Sequence, residues 1–242
     1  MAVAYSASGS DVVAYNSVNG PINETTHTIT NNGSNLCIVA MATIWDGFGN
    51  LISDDANSVT GVSIGGNAMT FMAYKNQGGS QVYAYYRAGA IGVNKDLVFT
   101  YEDGDNIGLV FTSVAGYTIF TGVDQSAPLV ESTTAGGLST NPTVSVTSDS
   151  ADNAVGDATS VDRGGTAYNL TEDGAGTNRF MTLGGALLSR HFGCMSDVVA
   201  VGAQSMSYNI SGVTNKNWAM IGYELKAAAS GINLRTLVGF GT

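Results

Sequence analysis

Apolar residues recur along this chain either in short unbroken runs or at every second position, and both patterns belong to β-strands rather than helices. Residues 36–45 (LCIVAMATIW) are nearly all apolar, as in a central strand covered on both faces. Residues 143–147 alternate, with Val144 and Val146 inward and Thr143, Ser145 and Thr147 outward. In residues 81–88 (QVYAYYRA) Tyr83 and Tyr85 project from one side, Val82, Ala84 and Tyr86 from the other. The same reasoning predicts strands over 59–64, 68–74, 96–101, 109–120, 180–188, 198–203, 206–210 and 218–225. Neither a heptad repeat nor an amphipathic helix is present in the pattern.

The strands are separated by glycine-containing clusters: Asn19-Gly20, Asn32-Gly33, Gly65-Gly66-Asn67, Gly78-Gly79, Asp103-Gly104, Gly136-Gly137, Gly164-Gly165 and Asp173-Gly174. These supply the positive φ that tight turns require. Many short strands punctuated in this way predict an all-β fold, an antiparallel β-sandwich of jelly-roll-like type. Composition is even over residues 1–226, which predicts one sandwich domain there. Residues 148–178, rich in Asp, Asn, Gly and Thr, read as an exposed insertion with one strand near 154–161. From 227 to 242 the character changes. A hinge of small residues leads into an extended C-terminal arm in which Ile232, Leu234, Val238 and Phe240 share one side. Such a segment is expected to add as a strand to an exposed sheet edge.

Composition narrows the function classes. The chain has 242 residues, 44% of them hydrophobic, enough to bury a substantial core. Only 12% are charged, so the polar surface must come from Ser, Thr, Asn, Gln and Gly. Nine basic against 19 acidic residues leave a formal charge of −10. That surface repels phosphate backbones and anionic lipids, so neither nucleic acid nor a membrane is an expected partner. No apolar run is long enough to span a bilayer as a helix. The first residues lack a basic region followed by an apolar core, so either the protein stays in the cytoplasm where it is made or a leader has been removed, and Met1 at the start favours the first expectation. Cys37 and Cys194 lie in apolar stretches and are expected to be buried and unpaired.

Residues 59–128 carry a recognisable succession: VTGVSIGGNAMT from Val59, the aromatic strand Val82-Tyr83-Ala84-Tyr85-Tyr86, Asp96-Leu97-Val98-Phe99-Thr100, then Val114-Ala115-Gly116-Tyr117 and GVDQSAP from Gly122. A closing strand, WAMIGYELK from Trp218, completes it. This resembles a β-sandwich domain that recurs in tailed-phage structural proteins and in secreted bacterial proteins of unassigned function. The resemblance spans most of residues 25–226 and rests on strand and turn patterns. It implies a non-catalytic module used for assembly or surface attachment, and it carries over no functional residues.

Candidate chemistry is sparse. Glu102, Asp103 and Asp105 surround a glycine and offer the hard oxygen ligands that Ca²⁺ prefers. They lack EF-hand spacing, and a solvated hairpin tip is the competing reading. His27, His191, Cys37 and Cys194 are too scattered for a zinc motif. No G-x-S-x-G turn and no glycine loop leading into a helix is present, and the many Asp residues cannot be paired across a cleft from sequence. Tyr83 and Tyr85, with Tyr86, Trp45 and Trp218, either stack on sugar rings or fill the core. The expectation is therefore a non-enzymatic protein with no catalytic residues and no cofactor. It is read as a virion structural protein of a tailed phage, a capsid-decorating (cement) or adhesin subunit assembled in the host cytoplasm. Its partners would be copies of itself, other capsid or tail proteins, and host surface glycans. The alternative is a carbohydrate-binding module or lectin-like receptor-binding protein.

Overall fold

The computed structural model describes residues 1–16, 22–31, 33, 35–46, 57–103, 110–162, 168–184 and 191–229. Among these, 77% lie in strands and none in a helix. The first half of the chain forms β1 (Ala4–Asn16), β2 (Ile22–Asn31), β3 (Cys37–Asp46), β4 (Asn57–Ile64), β5 (Asn67–Ala68), β6 (Thr70–Gln77), β7 (Ser80–Ala88), β8 (Gly92–Asp103) and β9 (Val110–Thr121). They make two antiparallel sheets, in the orders β1-β9-β3-β7-β6 and β2-β8-β4-β5. The second half forms β10 (Leu129–Ser139), β11 (Thr143–Ser148), β12 (Ala154–Asp162), β13 (Asn169–Glu172), β14 (Thr177–Gly184), β15 (His191–Val199), β16 (Gly202–Ser211) and β17 (Lys216–Leu225). Their sheets run β10-β17-β12-β15-β14 and β11-β16-β13.

The two halves have the same topology. With the two-residue β5 set aside, β1–β4 and β6–β9 correspond in order to β10–β17, and each half then reads 1-8-3-6-5 in one sheet and 2-7-4 in the other. First-with-eighth, second-with-seventh and third-with-sixth pairing is jelly-roll order. The fifth strand has moved beside the sixth. β5 keeps its place on the other sheet: Asn67 pairs with Ile64 before the chain crosses over as β6 to pair with β7. The duplication is seen in the shared strand order of the two halves.

The four sheets stack as outer, inner, inner, outer, with one core in each of the three gaps. The first gap holds Ile38, Ala40, Ala42 and Ile44 of β3 with Leu97, Phe99 and Tyr101 of β8. The middle gap holds Cys37, Val39 and Met41 of β3 with Ala219, Ile221 and Tyr223 of β17. The third holds Met220 of β17, Val155 and Val161 of β12, and Met206, Tyr208 and Ile210 of β16. Inner strands are thus buried on both faces, which is why β3 reads as an unbroken apolar run. Across the middle gap β1 lies on β14, β6 on β10, β9 on β15, β7 on β17 and β3 on β12. Exchanging the halves maps this contact pattern onto itself, so a pseudo-two-fold axis passes between β3 and β12. Hydrogen bonds cross the same gap between Thr43 and His191 (2.6 Å), Ser80 and Ser160 (3.0 Å), and Ser10 and Thr182 (2.5 Å). Gly116 makes room for the ring of Phe180, which sits where a Cβ would be.

Three sequence expectations are corrected. Residues 148–178 are not an exposed insertion: they contain β12, a central inner strand buried from Ala154 to Val161, and β13. Its Gly, Ala, Ser, Thr and Asp content looked like a loop, but small residues are what fits between two closely packed neighbouring sheets. Gly136-Gly137 is not a turn. It lies inside β10, where Gly137 lets the Trp218 indole pack against the backbone. Residues 198–203 are not one strand, since β15 ends at Val199 and β16 begins at Gly202, whose φ of 86° suits glycine.

Candidate functional site

Several titratable groups with displaced pKa values lie between the layers. Asp157 of β12 is fully buried in the third core. Its carboxylate accepts from the Ser196 N–H (3.0 Å), the Ser196 and Thr159 hydroxyls, and the Tyr208 hydroxyl (3.1 Å). Burial raises its pKa from 3.8 to about 6, against the lowering effect of these donors. The group joins an inner sheet to an outer one, because Tyr208 belongs to β16 and the rest to β12 and β15. Burial and the Asp157 charge also push the Tyr208 hydroxyl and the Cys194 thiol well above their ordinary values.

His191 is equally buried in the middle gap, where burial lowers its pKa to about 3, so the ring is neutral. Its Nε2 meets the Thr43 hydroxyl, whose oxygen also accepts the Val114 N–H at 3.0 Å. His27 lies apart from it, its ring edge-on to Tyr117 at 5.0 Å and its pKa lowered by burial. Cys37 and Cys194 are free, as expected. They lie in different gaps, and burial raises Cys37 to about 12. At the edge of the stack the Arg179 guanidinium binds the Asp197 carboxylate (Nη2 to Oδ2, 2.9 Å) and lies 3.8 Å over the Tyr5 ring.

Tyr83 and Tyr85 are where the core-filling reading puts them. Both are 5% exposed in the first core, their hydroxyls bonded to Gln81 Oε1 (3.1 Å) and the Val59 carbonyl (2.7 Å). Neither presents a ring face to a sugar, because the outer sheet that covers them is not visible in the local sequence. Trp218 is also buried, and its indole N–H donates to Ser139 Oγ at 2.8 Å. Glu102 and Asp103 end β8. Their side chains, and Asp105 entirely, lie outside the described residues, as do Ile232, Leu234, Val238 and Phe240 of the arm. Among the described residues no three His, Cys, Asp or Glu side chains converge as a metal site.

Two surface features escaped the sequence reading. The first is a cavity of about 370 Å³ at one end of the stack, lined by Leu129, Val130, Asp149, Asn153, Lys226 and Ala227 among others. Beneath it the buried Glu224 holds the β11–β12 turn, one oxygen accepting from the Ser148 hydroxyl (2.6 Å), the Asp149 N–H (3.3 Å) and the Asn153 amide (2.8 Å). Lys226 Nζ lies 3.4 Å from Asp124, whose pKa is held low by the Ser126 hydroxyl and the N–H groups of Ser126 and Ala127.

The second feature is the outward face of β11-β16-β13. Thr143, Ser145 and Thr147 of β11, Ala203, Ser205, Ser207, Asn209 and Ser211 of β16, and Asn169 and Thr171 of β13 point away from the core. Register places Thr143 beside Ser207, Ser145 beside Ser205, Thr171 beside Asn209 and Asn169 beside Ser211. Thr143 donates to the Asn141 carbonyl at 3.3 Å; among the described residues the other eight polar side chains make no side-chain hydrogen bond. On the opposite outer sheet four threonine hydroxyls are engaged: Thr28 donates to Asp96 and Thr30 to Asn94, each at 2.9 Å, and Thr26 and Thr60 to carbonyls. The alternation in β16 was legible, but which hydroxyls are engaged was not.

A scan against protein-family models finds no match, and a search of the curated proteins finds none either.

Proposed function

We propose that this protein is a non-catalytic structural subunit of a tailed-phage particle, a capsid-decorating or adhesin protein that associates with copies of itself and with other virion proteins. The observation that carries the reading is the placement of its reactive groups. Asp157, His191, Cys194, Tyr208 and Tyr223 are fully or almost fully buried between layers, where they join or pack sheets. Their chemistry is spent on holding a four-layer slab together. The strand and turn succession over residues 59–128 supports the same class.

The root of the C-terminal arm supports a contact by strand addition. Ala227 pairs with Val123, and the Ala228 N–H donates to the Gly122 carbonyl at 2.7 Å. The Lys226 N–H donates to Pro128, directly before β10. β10 pairs only with β17 among the described strands, so the chain at Lys226 lies beside a sheet edge. Strand addition to such an edge in a neighbouring subunit, with Ile232, Leu234, Val238 and Phe240 entering pockets, would lock the assembly. Deleting residues 232–242 is expected to leave the slab folded and to reduce binding to undecorated particles at least tenfold in a co-sedimentation assay. Unchanged binding would remove the arm from the assembly contact.

A second reading, a carbohydrate-binding or lectin-like receptor protein, is favoured by one observation, the uncharged face of β11-β16-β13.

A further inference from the structure

We propose that the β11–β12 turn, residues 149–153, and the end of β17 form a calcium site between the carboxylates of Asp149 and Glu224. The proposal stands whether or not the chain belongs to a particle. Glu224 is 1% exposed. Its Oε1 accepts from the Ser148 hydroxyl, the Asp149 N–H and the Asn153 amide, which places the carboxylate inside the turn. Its Oε2 is buried and has no hydrogen-bond partner among the described residues. A carboxylate withdrawn from water needs its charge answered and both its oxygens satisfied. The Asn153 amide donates to Asp149 Oδ1 (3.0 Å) as well as to Glu224 Oε1 (2.8 Å), so one small group holds the two carboxylates side by side. Glu224 Oε2 and Asp149 Oδ2 are the carboxylate oxygens left over.

The surroundings favour a cation. Glu131 stands directly opposite Glu224 in the β10–β17 register, and its Oε1 accepts the Thr147 N–H at 3.3 Å. Like charges so placed repel. Asp152 adds a further carboxylate in the turn. Lys226, the cation that lines the adjoining cavity, has its Nζ 3.4 Å from Asp124. The chain as a whole carries −10, which draws cations to it. Oxygen donors without a thiolate or imidazole among them suit a hard ion and not zinc. Calcium accepts carboxylates, carbonyls and water in loose geometry, whereas magnesium demands a near-ideal octahedron. The cavity of about 370 Å³, lined by Asp149, Ser150 and Asn153 among others, leaves room for water ligands. An ion here ties together more than the turn. Asn153 Oδ1 accepts the Ala227 N–H at 2.8 Å, and the Val3 N–H donates to the Asp152 carbonyl at 2.8 Å. Calcium therefore fixes the root of the C-terminal arm and the start of the chain against the end of the slab.

The test is isothermal titration calorimetry of the chelator-treated full-length protein with calcium chloride, paired with melting curves in EDTA and in calcium at constant ionic strength. Two carboxylates place the affinity at the weak end of calcium sites, about 0.1–1 mM. Wild type is expected to bind calcium saturably and to melt at a higher temperature when loaded. Glu224→Gln keeps the acceptor at Oε1 and removes the charge. It is expected to fold in EDTA, to lose at least tenfold in calcium affinity and to lose the calcium-dependent rise in melting temperature. Asp149→Asn changes an exposed residue, keeps an acceptor for the Asn153 amide and serves should Glu224→Gln fail to fold. It too is expected to lose at least tenfold. Asp105→Asn, in the acidic segment after β8, is expected to bind as wild type does. The absence of saturable calcium binding overturns the proposal. So does binding that Asp149→Asn leaves unchanged, binding that Asp105→Asn abolishes, or an equal response to magnesium.

Discussion

Replacing Asp157 with Asn isolates the buried carboxylate that ties the second outer sheet to its inner sheet. The amide has the same shape. Its oxygen still accepts from the Ser196 N–H, and the Thr159 and Tyr208 hydroxyls can rotate to accept from its NH₂ group. What changes is titration. The folded-state pKa of about 6 lies above the ordinary 3.8, so the folded protein holds this proton more tightly than the unfolded chain. The associated stability is present in full below pH 3.8 and is lost as pH rises through about 6. A difference of about 2 pH units, at about 1.4 kcal/mol each, corresponds to roughly 3 kcal/mol. Other titrating groups are common to both proteins and cancel in the comparison. Urea unfolding of wild type and Asp157→Asn, followed by intrinsic tryptophan fluorescence, should therefore show the variant gaining on wild type by up to about 3 kcal/mol between pH 4 and pH 7. A stability difference that stays constant over that range would refute the assignment of a raised pKa to Asp157. Asp157→Ala is the harsher change, because it leaves the buried Ser196 N–H and three hydroxyls without their acceptor, at about 1–3 kcal/mol for each group left unsatisfied.

His191 acts in the opposite sense. With a pKa near 3 in the fold, the protein loses stability as pH falls below about 6.5, where the unfolded imidazole takes up a proton, and His191→Gln should flatten that loss in the same urea experiment. Gly222 lies under Val144 and Val146, so Gly222→Ala should destabilise by about 1–3 kcal/mol through overpacking, read as a lower urea midpoint. Cys37 and Cys194 should resist a thiol reagent at pH 8 in the native protein and both react after denaturation without reductant, because each thiol is buried and its pKa raised.

The strands that the sequence revealed are those whose side chains carry a clear apolar signal. β3 and β17 are unbroken runs because both their faces are covered, and β11 alternates because one face is wet. β12 was hard to read for the opposite reason. Its buried positions are filled by Ala154, Gly156, Asp157, Ala158, Thr159 and Ser160, small or polar residues satisfied by partners far along the chain. β1 (AYSASGSDVVAYN) went unread because it is an edge strand whose first half is built mainly of small Ala, Ser and Gly residues. The duplication lies in the order of strand pairing, which exists only once both halves are folded. The same gap explains Tyr83 and Tyr85. Alternation correctly put them on one face, but only the tertiary fold shows that β2, β8 and β4 cover it. The hydroxyl face of β11-β16-β13 was half legible, its polarity from alternation and its lack of internal partners only from the geometry.

The structural-subunit proposal is tested most directly by the mass of the purified full-length protein in solution, measured by sedimentation equilibrium over a hundredfold concentration range. A discrete oligomer, or a monomer that becomes particle-bound when undecorated capsids or tails are added, is the expected result. A monomer at every concentration that leaves such particles bare would contradict it.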